Sequence, residues 1–308
     1  MVTSPGGRGR SLHTPGMAKI RVGVSGWSYP HWRKGRFYPA GLAQRRELEY
    51  VSSRMSTVEI NGSFYSLLRP ETYARYRQEV PKGFVFAIKG GQFITHAKKL
   101  KDVEIPLANF LASGVLCLED TLGPMLWQLP RMGFDPDRLE RFLDLLPKDT
   151  ETAARLARRH DQRVRGRAST RVERDRRLRH ALEVRHVNHL AESVVRACRR
   201  HNVALVFSHS GGEWPYVEEV TARWCYLRLH GAPATYASNY EDDDLDRWGQ
   251  RIRRWAAGAE PEDAARVSDL KLPRARARDV YVYFDNDGSA YAPNNAVTLE
   301  AKLTSAGS

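Results

Sequence analysis

Apolar residues recur along the chain with a period of two in eight short stretches, most of them followed by a segment with helical spacing. Residues 57–61, Thr57-Val58-Glu59-Ile60-Asn61, set the pattern: Val58 and Ile60 are apolar and β-branched, and Glu59 and Asn61 alternate with them. Successive strand residues point to opposite faces. Such a segment buries two apolar side chains against a neighbouring layer and aims a carboxylate and an amide the other way. The same design predicts strands at 20–25, 84–89, 124–129, 181–185, 203–208, 224–229 and 280–284. Helices are predicted at 42–54, 70–78, near 103–113, 135–146, 189–201, 242–257 and from about Asn294. Eight strands alternating with helices is the count of a (β/α)8 barrel of the TIM type. The rival is an open doubly wound sheet. Gly23-x-x-Gly26 after the first strand is no dinucleotide fingerprint, so no cofactor is read.

Composition narrows the class. The chain has 308 residues, 42% of them hydrophobic, which permits a large core and excludes global disorder. It holds no apolar run of 18 residues, so no membrane helix is expected. Residues 1–18 are rich in Gly, Ser, Pro and Arg and are expected to be a flexible tail, or an over-called start with Met17 as initiator. The barrel is then expected over 19–304. Cys117, Cys198 and Cys225 are scattered, with no metal or disulfide spacing, which suits a reducing cytoplasm.

Net charge is +13, and residues 151–180 alone carry 11 Arg against four acidic residues. Two readings stand: a patch for nucleic acid or another polyanion, or a solvated insertion at 148–179 before strand 5. The second draws on composition, because 39 Arg beside 10 Lys with abundant Ala is what a GC-rich genome gives. Residues 258–279 read as a polar connection.

In a (β/α)8 barrel the site lies at the C-terminal strand ends. Those ends supply Glu59, Glu183 and His230 as candidate acid–base residues, and Trp27, Asn61, Lys89, His96, Gln128, Arg185, Arg228 and Asn286 as candidate substrate-binding residues. Charged side chains aimed into a barrel are unfavourable unless paired or solvated. Carboxylates and imidazoles at one mouth suit general acid–base catalysis, and Lys89, Arg185 and Arg228 suit an anionic group. The competing reading is a buried ion-pair lattice that fixes the barrel register. No His-x-His or His-Glu-x-x-His spacing is present and the nearby cations oppose a metal, so no metal is assigned. The aromatic loop 27–38 either stacks on sugar rings or bases or lids one barrel end.

The run Val22-Gly23-Val24-Ser25-Gly26-Trp27-Ser28-Tyr29-Pro30-His31-Trp32 resembles the opening of the YecE-like family, domain of unknown function 72. So do Val58-Glu59-Ile60-Asn61-Gly62-Ser63-Phe64-Tyr65, Ile94-Thr95-His96, Glu183-x-Arg185-His186, Leu227-Arg228-Leu229-His230-Gly231 and Val282-Tyr283-Phe284-Asp285-Asn286-Asp287. The resemblance runs over about residues 20–303. It implies a TIM-type barrel with a polar mouth and no established reaction. The chain departs from the family's usual pattern at Gln92, at 187–189 and at Asp285. The leading expectation is an enzyme acting on a small polar, anionic substrate, phosphorylated or sugar-like. The alternatives are a nucleic-acid binding or processing factor and a non-catalytic metabolite-binding protein.

Overall fold

The computed structural model describes residues 18–131, 133, 135–187 and 190–305. The expectations for residues 1–17, and for Asn188 and His189, lie outside the described residues. Nine parallel strands form one sheet: β1 Ile20–Ser25, β2 Thr57–Ile60, β3 Val85–Lys89, β4 Leu122–Gln128, β5 His180–Glu183, β6 Ala204–Leu205, β7 Phe207–His209, β8 Trp224–Leu229 and β9 Asp279–Phe284. The order is β6-β5-β4-β3-β2-β1-β9-β8-β7. β6 and β7 are separated by Val206 alone, whose amide donates to Leu182 O at 2.9 Å, so the chain itself closes the ring. These two pieces are the predicted sixth strand, and the barrel is the (β/α)8 form expected. None of its described helices is long and apolar enough to cross a membrane.

Period-two alternation sorts the side chains into two layers. Val24, Val58, Ile60, Phe86, Ile88, Trp127, Leu182, Leu227, Leu229 and Phe284 face the surrounding helices in the main core. The opposite parity fills the barrel with Val85, Ala87, Leu126, Ala181, Ala204, Val206, Trp224, Tyr226, Tyr281 and Tyr283. Continuing that inner parity to the C-terminal ends gives Ser25, Glu59, Lys89, Gln128, Glu183, Ser208, Arg228 and Asp285. One face therefore turns from apolar to polar at a single level. Gly23 lets β1 run close against β2: a Cβ there would lie 1.8 Å from Thr57 O. Backbone bonds just beyond the strands carry the ladder upward, with Gly26 N donating to Glu59 O, Gly90 N to Leu126 O and Leu129 N to Glu183 O at 2.8–2.9 Å.

The helices form largely where the spacing places them: α1 Glu47–Ser52, α2 Gly62–Tyr65, α3 Pro70–Gln78, α4 Glu104–Ala112, α5 Pro136–Leu145, α6 Thr150–Ala157, α7 Glu192–His201, α8 Asp242–Ala256 and α9 Tyr291–Ser305. Local chemistry fixes their ends. Asp135 caps α5 by accepting from Asp137 N, ahead of Pro136 in the first turn. Asp149 caps α6 through Thr152 N at 2.7 Å.

One expectation changes here. The Arg-rich segment 148–179 is not a solvated insertion. It contains α6, which buries Ala153, Ala154 and Ala157, and a 3₁₀ turn with buried Val164. Several of its arginines are structural: Arg167 donates to Leu67 O and Leu68 O, and Arg179 to Tyr281 OH and Asp279 Oδ2. The polar connection 258–279 is likewise tied down. Glu218 and Glu219 are fully buried beneath it. Glu219 accepts from Arg199 at 2.9 Å, Ser268 Oγ at 3.0 Å and Val267 N at 3.2 Å, and pairs with Arg266.

Replacing Glu219 by Ala leaves Arg199 and Arg266 without that carboxylate in a largely buried place. We expect a loss of about 3 kcal/mol in chemical denaturation, with new proteolytic cleavage inside 258–279. Unchanged stability and an unchanged digestion pattern would show that the connection holds without it.

Candidate active site

Arg228, on β8, occupies the centre of the barrel mouth and is 1% exposed. Its Nη1 donates to Glu183 Oε2 at 2.9 Å. Its Nη2 reaches Glu59 Oε1 at 2.8 Å, Ser25 Oγ at 2.9 Å and Asp285 Oδ2 at 3.0 Å. Glu59 also accepts from Ser25 Oγ at 2.7 Å and Tyr226 OH at 2.6 Å. Glu183 also accepts from Ser208 Oγ at 2.9 Å and pairs with Arg185 at 2.8 Å. Both glutamates are fully buried with both oxygens engaged. Burial alone would raise the Glu183 pKa, but Arg185 and Arg228 outweigh it and hold the carboxylate well below the usual range. For Asp285 burial again opposes ionisation, and Arg228 with His230 brings the pKa down to about 2.

His230 lies between two carboxylates. Its Nε2 is 3.2 Å from Glu183 Oε1 and its Nδ1 is 3.1 Å from Asp285 Oδ2, the second contact close but not aligned as a hydrogen bond. Trp214 and Tyr236 pack edge-on against its ring. Arg185 stacks its guanidinium 3.5 Å over the Trp214 ring. Its Nη2 is taken by Glu183 and, at 3.4 Å, Gln128 Oε1, which leaves Nη1 as an edge without a hydrogen-bond partner among the described residues.

The remaining cation behaves differently. Lys89 closes β3, and its ammonium sits 4.4 Å above the Phe64 ring with no ion pair among the described residues. Burial lowers its pKa, and the Arg228 charge lowers it further against the pull of Glu59, Glu183 and Asp285. Its backbone is pressed close to its neighbour, since a Cβ on Gly90 would strike the Trp127 ring at 2.2 Å. His96 packs edge-on to the same Phe64 ring and bonds Thr95 Oγ1 through Nδ1 at 2.8 Å. Burial lowers its pKa too, with Lys89 and Arg185 adding to the effect, so near neutral pH it is mainly uncharged. Asp287 is raised to about 6 by burial and by Asp285, and His31 Nε2 lies 2.6 Å from its backbone carbonyl.

The structure thus brings together Glu59, Asn61, Lys89, His96, Gln128, Glu183, Arg185, Arg228 and His230. Asn61 donates to Ser25 Oγ at 2.9 Å, and its Oδ1 is buried without a partner. Trp27 and Asn286 are placed elsewhere. Trp27 packs against Tyr76 and Phe86 in the helix-facing layer. Asn286 is fully buried and ties the loop after β9 to Ser238 O and Asn295 Oδ1. Trp32 and Tyr38 of the aromatic loop are buried, so their rings are not a stacking platform.

Among the described residues the exposed aromatic side chains are Tyr65 at the end of α2, Phe93 in the helical turn after β3 and Tyr236 in the loop after β8. Sequence reading missed these, along with Phe64 and Trp214, because none sits on a strand with alternating neighbours. Two clefts flank the mouth. One of about 420 Å³ is lined by Phe64, Tyr65, Phe93, His96 and Arg163, and one of about 390 Å³ by Arg131, Trp214 and Tyr236 among others. No group of three or more His, Cys, Asp and Glu among the described residues is arranged to hold a metal ion.

The model of a family described as "Protein of unknown function DUF72" matches residues 21–308. Two curated relatives, the UPF0759 protein YecE from Escherichia coli strains K12 and O157:H7, are 28% identical over 191 residues. That match covers 60% of this chain and 64%, less than two thirds, of the relatives' own length. A crystal structure of a DUF72 family protein from Thermotoga maritima aligns with a TM-score of 0.67 at 21% identity, over 93% of this chain and 99% of that one. One from Enterococcus faecalis aligns at 0.65 and 16%, over 92% and 95%.

Arg228→Met would leave three carboxylates facing one another in the barrel. We expect a loss of at least about 3–5 kcal/mol, read by denaturation, or failure to fold. Wild-type stability in that variant would show the lattice to be dispensable. Acid should loosen the same cluster. Asp285 has a depressed folded pKa, so its contribution is full above the unfolded value near 3.8 and is lost as pH falls toward 2. Asp285→Asn should flatten the stability profile in that window.

Proposed function

The chain belongs to the DUF72 family, and from that premise we propose that its barrel mouth is the active site of an enzyme acting on a small polar, anionic substrate, phosphorylated or sugar-like, by acid–base chemistry. One observation carries the reading. The carboxylates of the mouth are all committed to protein partners, while Lys89, Arg185 Nη1 and His96 Nε2 keep edges that the described residues do not use. A purely structural lattice has no need of an unpaired cation beside three carboxylates, nor of an arginine held flat on a tryptophan with one edge open.

The roles divide by accessibility. Arg185, fixed by Trp214 and Glu183, receives the anionic group, with Lys89 adding positive potential. His96, uncharged near neutral pH, accepts or returns a proton at Nε2. Glu59, Glu183 and His230 lie beneath and act as positioning residues, since their pairings hold Arg185 and Arg228 in place. Their expected part as direct proton carriers passes to His96. A second reading, binding of single-stranded nucleic acid, is favoured by exposed Tyr65 and Phe93 beside Arg163, whose guanidinium lies 4.8 Å over the Phe93 ring.

A thermal-denaturation panel of sugar phosphates and small carboxylates tests the choice, because a ligand that binds only the folded protein at 100 times its Kd stabilises it by about 2.7 kcal/mol. We expect stabilisation by a subset, loss of it in Arg185→Met, and product by mass spectrometry that disappears in His96→Gln. Equal stabilisation of Arg185→Met and wild type would overturn the assignment. Binding of an oligonucleotide instead, weakening steeply with salt, would favour the second reading.

A further inference from the structure

We propose that Lys89 is an amine nucleophile that forms an imine with an aldehyde or ketone group of the substrate, so that the substrate class is an anionic carbonyl compound. This deepens the reading above and rests on it for where the substrate lies.

The placement of Lys89 separates it from the other lysines. Seven of the ten lysines are exposed, Lys302 is paired with Asp242 and Asp246, and Lys98 ends the helical turn Phe93–Ala97 rather than a strand. Lys89 is half-buried at a strand end, over an aromatic ring, beside a cluster whose acidic groups are already taken. Glu59 is engaged by Ser25, Tyr226 and Arg228, Glu183 by Ser208, Arg185, Arg228 and His230, and Asp285 by Arg228 and His230. A lysine that serves as a counter-ion is found in contact with its carboxylate, and this one is not. Desolvation and the Arg228 charge favour its neutral form, the reactive one. Phe64 gives the amine an apolar floor, and His96 borders the same ring.

The chemistry balances without any further reagent. The nitrogen lone pair attacks the carbonyl carbon, a C–N bond forms, and the C=O π pair moves to oxygen, which takes a proton supplied through His96 or solvent. The carbinolamine nitrogen gives up a proton, the hydroxyl is protonated and leaves as water, and C=N forms. The sum is amine plus carbonyl plus one proton to protonated imine plus water. The protonated imine withdraws electrons from the adjacent carbon, which lets a neighbouring C–H be deprotonated. Hydrolysis restores the amine. Arg185 Nη1 remains available for the substrate's anionic group.

The test uses the full chain with glyoxylate and, separately, dihydroxyacetone phosphate, each with cyanoborohydride to reduce any imine to a stable secondary amine, followed by peptide mass mapping. We expect labelling of Lys89 at least tenfold above any other lysine, with a pH midpoint well below that of the surface lysines. Lys89→Arg, which keeps the charge, should lose the label while retaining thermal stabilisation by the probe. Arg185→Met should lose both at low probe concentration. Labelling spread over surface lysines with Lys89 unmodified overturns the imine. If stabilisation by the probe survives in that case, the anionic site stands without it. If neither label nor stabilisation is seen with either probe, the imine and the location of the site fall together.

Discussion

A single buried guanidinium holds the upper barrel together. Arg228 touches Glu59, Glu183 and Asp285 from one position on β8, and these come from β2, β5 and the residue after β9. Removing four charges from water is unfavourable by several kcal/mol for each ion, and Coulomb attraction offsets that only when the geometry is tight. Here Ser25, Ser208 and Tyr226 donate to the remaining carboxylate lone pairs. The result ties strands on opposite sides of the ring to one point, and it settles which cations at the mouth are left over.

That surplus organises the functional reading. With Arg228 consumed by carboxylates, and Arg185 partly so, the ammonium of Lys89 has neighbours of opposite charge but no ion-pair partner among the described residues. The electrostatic environment sets the two imidazoles apart. Burial first, and then the cations Lys89 and Arg185, lower the proton affinity of His96, and His230 sits in contact with Glu183 and Asp285. One histidine thus has a ring edge open at the mouth and the other is held within the carboxylate frame.

Much of the architecture was legible because period two is a geometric property of a strand. The parity that puts Val58 and Ile60 outward puts Glu59 inward, and the same argument placed Lys89, Gln128, Glu183 and Arg228. The order in which these side chains pair was not legible, because it depends on strand neighbours and on register. Loop residues were harder still. Arg185 finds Trp214 and Lys89 finds Phe64 through packing that leaves no periodic trace. Trp27 read as a mouth residue because it follows a strand, yet the chain turns at Gly26, with φ of +84°, and its ring packs outward on Tyr76 and Phe86. Glu218 and Glu219, two adjacent acids, look like surface in a sequence and are instead the buried anchors of the connection after α8.

Arg163 gives the Arg-rich segment another meaning. It belongs to the layer between β4 and β5, yet it covers Phe93 and lines the cleft that holds His96. A segment that carries no barrel strand therefore contributes a wall of the proposed site. Within the segment Arg167 and Arg179 are tied to the barrel, whereas Arg163 meets the cleft. One border of the mouth is thus built by a stretch of chain that lies outside the ring of strands, beside the strand-end residues Lys89 and Arg185.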